Sequence, residues 1–262
     1  MDVFASFDMM HAVAGFFVGM MVGLTGVGGG SLMTPILVLI FHQNVKTAVG
    51  TDLLYAAITK IFGSAIHGAR ETVDWRIFRL LATGSLPAAL VTVVALQYLG
   101  KIGKNTEHTI LLILGGMLLL TAVATLFQKR LIAFAGEHNE MKLRKAQVPT
   151  VILGVVIGVL VTISSVGAGA IGVTALLMLY PRLPVARLIG TDIVHAVPLV
   201  LVAGTGHWLI GDVNMPLLIN LLVGSIPGVL IGALLSTRAP DRVLRPALAF
   251  VLTLSGLKLL TQ

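Results

Sequence analysis

Long stretches without charged residues make up most of the chain, and short polar segments separate them. Each stretch approaches or exceeds the ~20 apolar residues that a helix needs to cross a bilayer. This pattern predicts a bundle of membrane-spanning helices. The uncharged or nearly uncharged stretches are residues 9–45, about 53–69 with Lys60 inside, 80–100, 108–128, 146–181, 193–211, 213–237 and about 243–260.

Glycine interrupts the two longest stretches. Residues 9–45 would form a helix about 55 Å long at ~1.5 Å per residue, whereas the hydrocarbon core is only ~30 Å thick. The segment TGVGGGS at residues 25–31 breaks this helix midway, and SSVGAGAIG at residues 164–172 breaks the stretch 146–181 in the same way. Each stretch therefore predicts a helical hairpin whose non-helical tip lies inside the membrane, enclosed by protein or by a watery cavity.

The two halves of the chain repeat one another. Matched residues recur 139 positions later, and after one inserted residue the spacing becomes 140. Chance similarity between apolar helices would align Leu and Val, but it would not keep Gly, Asp, His and Pro in register, so we infer an internal duplication. The matches are Gly15/Gly154, Gly19/Gly158, Gly28/Gly167, Gly30/Gly169, Gly50-Thr51-Asp52/Gly190-Thr191-Asp192, His67/His207, Val73-Asp74/Val213-Asn214 and Gly84-Ser85-Leu86-Pro87/Gly224-Ser225-Ile226-Pro227.

The distribution of Lys and Arg indicates how the halves are oriented. If each hairpin enters and leaves on one side, one face collects 13 Lys and Arg and the other face 3. Cytoplasmic loops are enriched in these residues, which favours this arrangement and leaves three crossings after each hairpin, so that the second repeat is inverted. The predicted organisation is a first transmembrane repeat at 1–128, a cytoplasmic linker at 129–147 and a second transmembrane repeat at 148–262.

Composition narrows the class of protein. Of the 262 residues, 56% are hydrophobic and 11% are charged, too few charges to cover a soluble fold or to maintain disorder. The 29 glycines fit closely packed helices better than a β-barrel. We therefore expect an all-α polytopic membrane protein whose net charge of +7 reflects orientation rather than nucleic-acid binding. Because Cys and catalytic or metal-ligand motifs are absent, we expect no cofactor, no resident metal and no enzymatic activity.

The glycine tips are the first candidate binding sites. The first amide groups of a helix lack internal acceptors and carry partial positive charge, which suits an anion. Glycine lets that backbone approach a ligand closely, although a tight packing corner would also need glycine. The substrate-binding candidates are Gly28, Gly29, Gly30 and Ser31 in the first hairpin and Ser164, Ser165, Gly167 and Gly169 in the second.

A Gly-Thr-Asp motif follows each hairpin. We expect each motif to begin a helix, with Thr51 or Asp52, and Thr191 or Asp192, as its N-cap. The two Thr are also candidate substrate contacts. An Asp at the edge of a bundle interior could instead carry a coupled proton, and His195 shares a helical face with Asp192 because it lies three positions further on.

Other ionisable groups also fall within the predicted helices. Lys60 lies too deep in its stretch to reach the interface easily, so it either attracts an anion or pairs with Asp52 or Asp192. Val200 takes its place in the second half. His67 and His207 are matched candidates for proton coupling, since His titrates near neutral pH, or they are neutral structural residues.

These motifs together resemble one family. GVGGGSLMTPIL, AVGTDLL, His67 and Val73-Asp74 are similar to the sulfite exporter TauE/SafE family of membrane permeases, and VGAGAIGVTALL, IGTDIV, His207 and Val213-Asn214 repeat the pattern. The resemblance covers about residues 10–260, and members commonly have Gly-Thr-Ser where this chain has Gly-Thr-Asp. It implies transport of small sulfur-containing anions or organic acids, such as sulfite, sulfoacetate or related sulfonates.

The sequence and the resemblance lead to one expected function. We expect a secondary transporter of the bacterial inner membrane that exports a small sulfur-containing anion by alternating access, with a coupled proton on Asp52, Asp192 or a histidine. The alternatives are transport of another small organic anion, or of a cation or metal held by the two Asp. The expected partners are the anionic substrate and the lipid bilayer, while the oligomeric state stays open.

The predicted topology can be tested with single cysteines, because the chain contains none. Lys46→Cys and Val185→Cys lie just after the two hairpins, so we expect a membrane-impermeant thiol reagent to label them from opposite faces of the membrane. Labelling of both from the same face would contradict the inverted arrangement.

Overall fold

The computed structural model describes residues 8–25, 30–67, 73–102, 106–138, 146–235 and 241–261. This part of the chain is helical apart from turns and short connections. Its helices are α1 (Met9–Thr25), α2 (Gly30–Leu39), α3 (Val45–His67), α4 (Trp75–Ile102), α5 (Thr106–His138), α6 (Gln147–Ser164), α7 (Ala170–Leu179), α8 (Val185–Leu209), α9 (Met215–Leu235) and α10 (Asp241–Leu260).

The helices have the properties of a membrane-embedded bundle. Within the described ranges, 5 helices are long and apolar enough to cross a membrane: α4, α5, α6, α8 and α9. Large apolar side chains such as Val91 and Phe250 face outward, whereas Thr34, Thr51 and Asp52 are buried. The expected all-α polytopic membrane class is therefore confirmed. α5 continues to His138, well into the segment predicted as a linker.

Both glycine-interrupted stretches fold back on themselves, as predicted. The ring of His11 at the start of α1 lies 4.3 Å, centroid to centroid, from that of Phe41 just beyond α2. At the equivalent positions of the second half, the Thr150 hydroxyl lies 2.6 Å from the Tyr180 hydroxyl. The 18 residues of α6 span about 27 Å and the 10 residues of α7 about 15 Å. Because α7 is shorter, the connection after α6 runs back alongside it, and α7 begins about halfway along the length of α6.

The two halves exchange helices. α1 packs in parallel against α9, and α4 packs in the equivalent way against α6. The backbone of Leu221 lies against Gly15 and that of Ser225 against Gly19. In the matched interface, Leu81 lies against Gly154 and Ser85 against Gly158. These glycine pairs therefore join the two halves within one chain, a use that the sequence had left open.

α3 and α8 lie antiparallel at the centre of the bundle. A side chain at Gly50, near the start of α3, would contact the His207 side chain near the end of α8. At the opposite end, the Arg187 guanidinium lies 3.2 Å from the Asp74 carboxylate. The equivalent helices α3 and α8 thus run in opposite directions. Their orientation relative to the membrane, and the repeat and linker boundaries, stay predictions.

The close helix contacts predict unequal effects of Gly→Ala substitutions. A methyl group at Gly158 or Gly224 would collide with the backbone of the facing helix, whereas nothing lies within 4 Å of one at Gly116. We expect Gly158→Ala and Gly224→Ala each to lower the free energy of unfolding by about 1–3 kcal/mol. Gly116→Ala should raise it by up to about 1 kcal/mol. Thermal unfolding followed by circular dichroism in detergent measures the difference, and equal stability of the three variants would contradict the packing.

Candidate functional site

The tip of the second hairpin is a buried segment of non-helical backbone. α6 ends at Ser164, Ser165 adopts a left-handed φ of 58°, and Gly167 and Gly169 have φ values of 121° and 136°. Only glycine adopts the last two conformations at low cost. The Ser165 hydroxyl is buried and has no hydrogen-bond partner among the described residues. The chain therefore places a buried, polar, non-helical turn inside the bundle.

The helix that leaves this tip begins with free amide groups. Gly169 precedes α7 and provides no side-chain cap. The N–H of Gly172 donates to the carbonyl of Gly167 at 3.2 Å. Within the described ranges, the N–H groups of Ala170 and Ile171 have no acceptor. Two amide donors at the positive end of a helix thus face the tip, the arrangement that favours an anion.

The first tip is only partly described. Gly28 and Gly29 lie outside the described residues, and for Gly30 only the backbone is described, as the first residue of α2. Ser31 is buried. The predicted substrate contacts of this tip are therefore not tested by the geometry.

The structure corrects the predicted position of the Gly-Thr-Asp motifs. α3 and α8 begin at Val45 and Val185, so both motifs lie in the second turn of their helices and the predicted N-cap role is wrong. Asn44 caps α3, since its Oδ1 accepts the Lys46 N–H at 2.9 Å. Pro184 precedes α8. The Thr and Asp side chains of both motifs are buried within the bundle.

The two motif threonines connect the halves of the protein. The Thr191 hydroxyl accepts the N–H of Asp74 at 2.8 Å, and the Thr51 hydroxyl accepts the N–H of Asn214 at 3.1 Å. Asp74 and Asn214 in turn cap α4 and α9. The geometry gives Thr51 and Thr191 a packing role, and contact with substrate stays a prediction for both.

Asp52 and Asp192 are fully buried carboxyl groups, each with one oxygen that lacks a hydrogen-bond partner in the described part of the chain. Asp52 Oδ2 accepts a hydrogen bond from the Thr34 hydroxyl on α2. The Ser165 hydroxyl lies beside the Asp52 carboxyl group without adopting hydrogen-bond geometry. Asp192 packs against Gly172 on α7. The second hairpin thus contacts both carboxyl groups.

Lys60 is a buried basic residue of α3, eight positions beyond Asp52. Its side chain is 6% exposed, and its ammonium group interacts electrostatically with Asp192 and Asp52. It also acts on His195. Among the described residues it makes no ion pair within 4.0 Å. In the described part of the chain, Lys60 thus interacts electrostatically with both acids and forms a short ion pair with neither.

Matched polar contacts line the same region. His195 Nε2 lies 2.8 Å from the Ser85 hydroxyl, and the Ser225 hydroxyl donates to the Tyr55 hydroxyl at 2.8 Å. These pairs occupy equivalent positions in the two halves. The sequence identified Ser85 and Ser225 only as matched positions of the duplication, and the recurrence of Gly-Ser-Leu/Ile-Pro was the available signal.

His207 lies at the far end of α8 from Asp192, beside Gly50 on α3. It lies 15 residues beyond Asp192 on α8, about 22 Å along the axis. Its Nε2 lies 2.9 Å from the Thr162 carbonyl oxygen and its Nδ1 lies 3.3 Å from Asp212 Oδ2. With Lys46 and Asp212 it lines a separate cavity of 230 Å³. The side chain of His67 lies outside the described residues.

The described residues do not form a cluster of three or more His, Asp or Glu that could hold a metal ion. The buried site combines amide donors, one ammonium group and two carboxyl groups. Its chemistry therefore suits a small anion together with exchangeable protons better than it suits a metal ion.

Comparison with known proteins agrees with the sequence motifs. The family model described as Sulfite exporter TauE/SafE matches residues 11–259. The probable membrane transporter protein YjnA of Bacillus subtilis is 39% identical over 249 residues, which is 94% of this chain and 97% of that protein. YdhB, a probable membrane transporter protein of the same organism, is 28% identical over 96% of this chain and 100% of its own length. No solved structure matches the chain.

The contact between Tyr55 and Ser225 predicts measurable coupling between the halves. In a double-mutant cycle of Tyr55→Phe and Ser225→Ala, we expect a coupling energy of about 0.5–1.5 kcal/mol, as for interhelical hydrogen bonds in membranes. Reversible unfolding of the purified protein in detergent measures it. Strictly additive effects would show that the hydroxyl groups do not interact.

Proposed function

The chain belongs to the sulfite exporter TauE/SafE family of membrane transporters, and from this premise we propose that it exports a small sulfur-containing anion by alternating access. Sulfite and small organosulfonates are the proposed substrates, and another small organic anion is the close alternative. In this proposal the direction of flux follows the combined gradients of the anion and a coupled proton across the inner membrane.

The observation that carries this proposal is the pair of free amide groups at the start of α7. The amides of Ala170 and Ile171 face a buried tip that also holds the unpartnered Ser165 hydroxyl. An oxyanion can accept hydrogen bonds from all three groups. Its other oxygens would receive the positive potential of Lys60, which is buried near the same carboxyl groups that contact the hairpin.

The protons in this proposal bind to Asp52 and Asp192. Both carboxyl groups are buried and each has an oxygen free to change its protonation state. His195 is a further candidate because its ring shares the region and already contacts Ser85. For His207 and His67, the proposal of proton coupling rests only on their matched positions near the ends of α8 and α3.

The exchanged helices support alternating access. α1 and α6 are the first arms of the two hairpins and are packed against the other half, so a shift of one half carries the hairpin of the other half with it. Because the two halves make matched contacts, the protein can adopt two related conformations of similar energy. Inverted repeats with broken helices at mid-depth are common in secondary transporters.

A cation is the second candidate substrate. The unpartnered oxygens of Asp52 and Asp192 are suitable ligands for a small hard cation. The ammonium group of Lys60 interacts with both acids, however, and repels a cation from the space between them. Competition of Na⁺, K⁺ and Mg²⁺ against a labelled sulfonate separates these two proposals.

Gly169 allows a direct test of the anion site. Gly169→Ala strains a backbone at φ 136° by about 1–2 kcal/mol, so we expect sulfite or methanesulfonate flux into liposomes to fall about tenfold. Gly211→Ala is the matched control, because Gly211 also has a positive φ, 90°, with open space around it in the connection between α8 and α9.

The control should retain the flux of the unmodified protein. Equal loss in both variants would point to general strain rather than to the tip, and full flux in Gly169→Ala would contradict the proposed site.

A further inference from the structure

The cavity of 230 Å³ at the end of α8 is a separate space from the second hairpin tip. Its walls come from the start of α3, the end of α4, the start of α5, the end of α8 and the connection that follows α8. In the described part of the chain, no residue of the tip lines it. Four of its lining side chains can make polar contacts, and these are Lys46, Gln97, His207 and Asp212.

The ring of His207 fits its surroundings best with a hydrogen on both nitrogens. Its Nε2 lies 2.9 Å from the Thr162 carbonyl oxygen, which can only accept, so Nε2 carries a hydrogen. Its Nδ1 lies 3.3 Å from Asp212 Oδ2 without a well-aligned hydrogen bond. A neutral ring would therefore place the lone pair of Nδ1 against a carboxylate. Because an imidazole holds a proton more tightly than a carboxylate does, these contacts favour an imidazolium at His207 that is paired with Asp212.

The charged groups of the cavity lining then leave one positive charge. The imidazolium and Asp212 cancel, and the Lys46 ammonium makes no ion pair within 4.0 Å among the described residues. Gln97 from α4 and Ile110 from α5 are uncharged. Glu107, in the first turn of α5, accepts a hydrogen bond at 2.8 Å from the residue that precedes α3 and does not line the cavity. The lining therefore suits a ligand with one negative charge.

The size and the apolar part of the cavity narrow the class of ligand further. Its volume of 230 Å³ is smaller than the ~300–1,000 Å³ of pockets for drug-sized ligands. Leu96, Ile110 and Ile210 form the apolar part of the wall. A short alkanesulfonate or a short carboxylate has one negative charge and a small apolar tail, so it matches both parts of the lining.

We propose that this cavity is a second anion site, in which Lys46 and the imidazolium of His207 hold a short monovalent organic anion. The site itself concerns the protein whatever it transports, whereas its role rests on the proposed function. Thr162 belongs to the last turn of α6, and Ser165 of the second tip follows three residues later. His207 thus connects the cavity to the hairpin, and an anion bound there lies between the tip and one end of the helix bundle.

The charge count gives this site a defined pH dependence. Loss of the proton from His207 leaves the charges of Lys46 and Asp212, which cancel, so the affinity of the cavity for an anion falls as pH rises. Asp212→Asn removes the negative charge, and one positive charge then remains on Lys46 even when the ring is neutral. We therefore expect this variant to bind the anion above the pH at which the unmodified cavity loses it.

Equilibrium binding of labelled methanesulfonate to the purified protein in detergent tests the inference, because this probe keeps one negative charge throughout the neutral pH range. We expect two anions per chain, one at the second tip and one in the cavity. Lys46→Met should weaken the cavity site at least about tenfold and leave the tip site unchanged, whereas Gly169→Ala should weaken the tip site alone. Lys46→Arg should retain both sites.

Lys258→Met is the matched control. Lys258 is an exposed lysine in the last turn of α10 and does not line the cavity. The variant loses the same charge as Lys46→Met, so it should retain both sites.

Histidine ¹⁵N NMR reads the protonation of the ring directly, and His207→Gln identifies its signal. We expect an imidazolium at His207 in the methanesulfonate-bound protein. In Gly169→Ala, whose remaining binding reports on the cavity, affinity should fall as pH rises, and the further change Asp212→Asn should shift this loss to higher pH. A neutral His207 in the bound protein, or a cavity affinity independent of pH, would contradict the inference.

The variants separate this inference from the proposed function. A single bound anion that Gly169→Ala weakens and Lys46→Met does not would overturn the cavity site and leave the transport proposal standing. A single bound anion with the opposite response would support the cavity site and contradict the anion site at the tip. Equal weakening by Lys46→Met and Lys258→Met, or no methanesulfonate bound to the folded protein, would also overturn the inference.

Discussion

The interior of a bilayer supplies no water to satisfy backbone amides, and this constraint governs the whole structure. A broken helix at mid-depth survives only where protein surrounds it. Here the enclosure comes from the exchange of helices between halves, in which Gly15 and Gly19 bring α1 onto α9 while Gly154 and Gly158 bring α6 onto α4. The buried turn from Ser165 to Gly169 therefore depends on glycines far from it in sequence.

The two halves have matching packing contacts but different ionisable residues at the proposed site. The two halves share the threonine contacts to Asn214 and Asp74 and the hydroxyl contacts of Ser85 and Ser225. They differ at two positions of the proposed site. Val200 takes the place of Lys60 in the second half, and His195 takes the place of Tyr55. A symmetric frame allows two related arrangements of similar energy, and Lys60 adds a positive charge to the first half only.

Much of this arrangement could be predicted from sequence, because glycine runs and missing charges have direct physical consequences in a membrane. The hairpins follow from 37 uncharged residues interrupted at TGVGGGS, and the duplication follows from Gly, Asp and His in register. The N-cap role of Asp52 and Asp192 was wrong because Asn44 and Pro184 start those helices earlier. Contacts between halves, such as His195 with Ser85, were not predictable because they depend on which helices pair across the duplication.

The central claim is that the start of α7 holds the anion, and locating a bound anion tests it most directly. 2-Bromoethanesulfonate carries a heavy atom beside a sulfonate, so anomalous scattering from crystals of the protein places it without ambiguity. The account predicts the bromine peak near the tip, with sulfonate oxygens within hydrogen-bond distance of the Ala170 and Ile171 amides and of the Ser165 hydroxyl. A peak confined to the cavity beside Lys46 and His207, or well-ordered tips with no peak at saturating ligand, would contradict it.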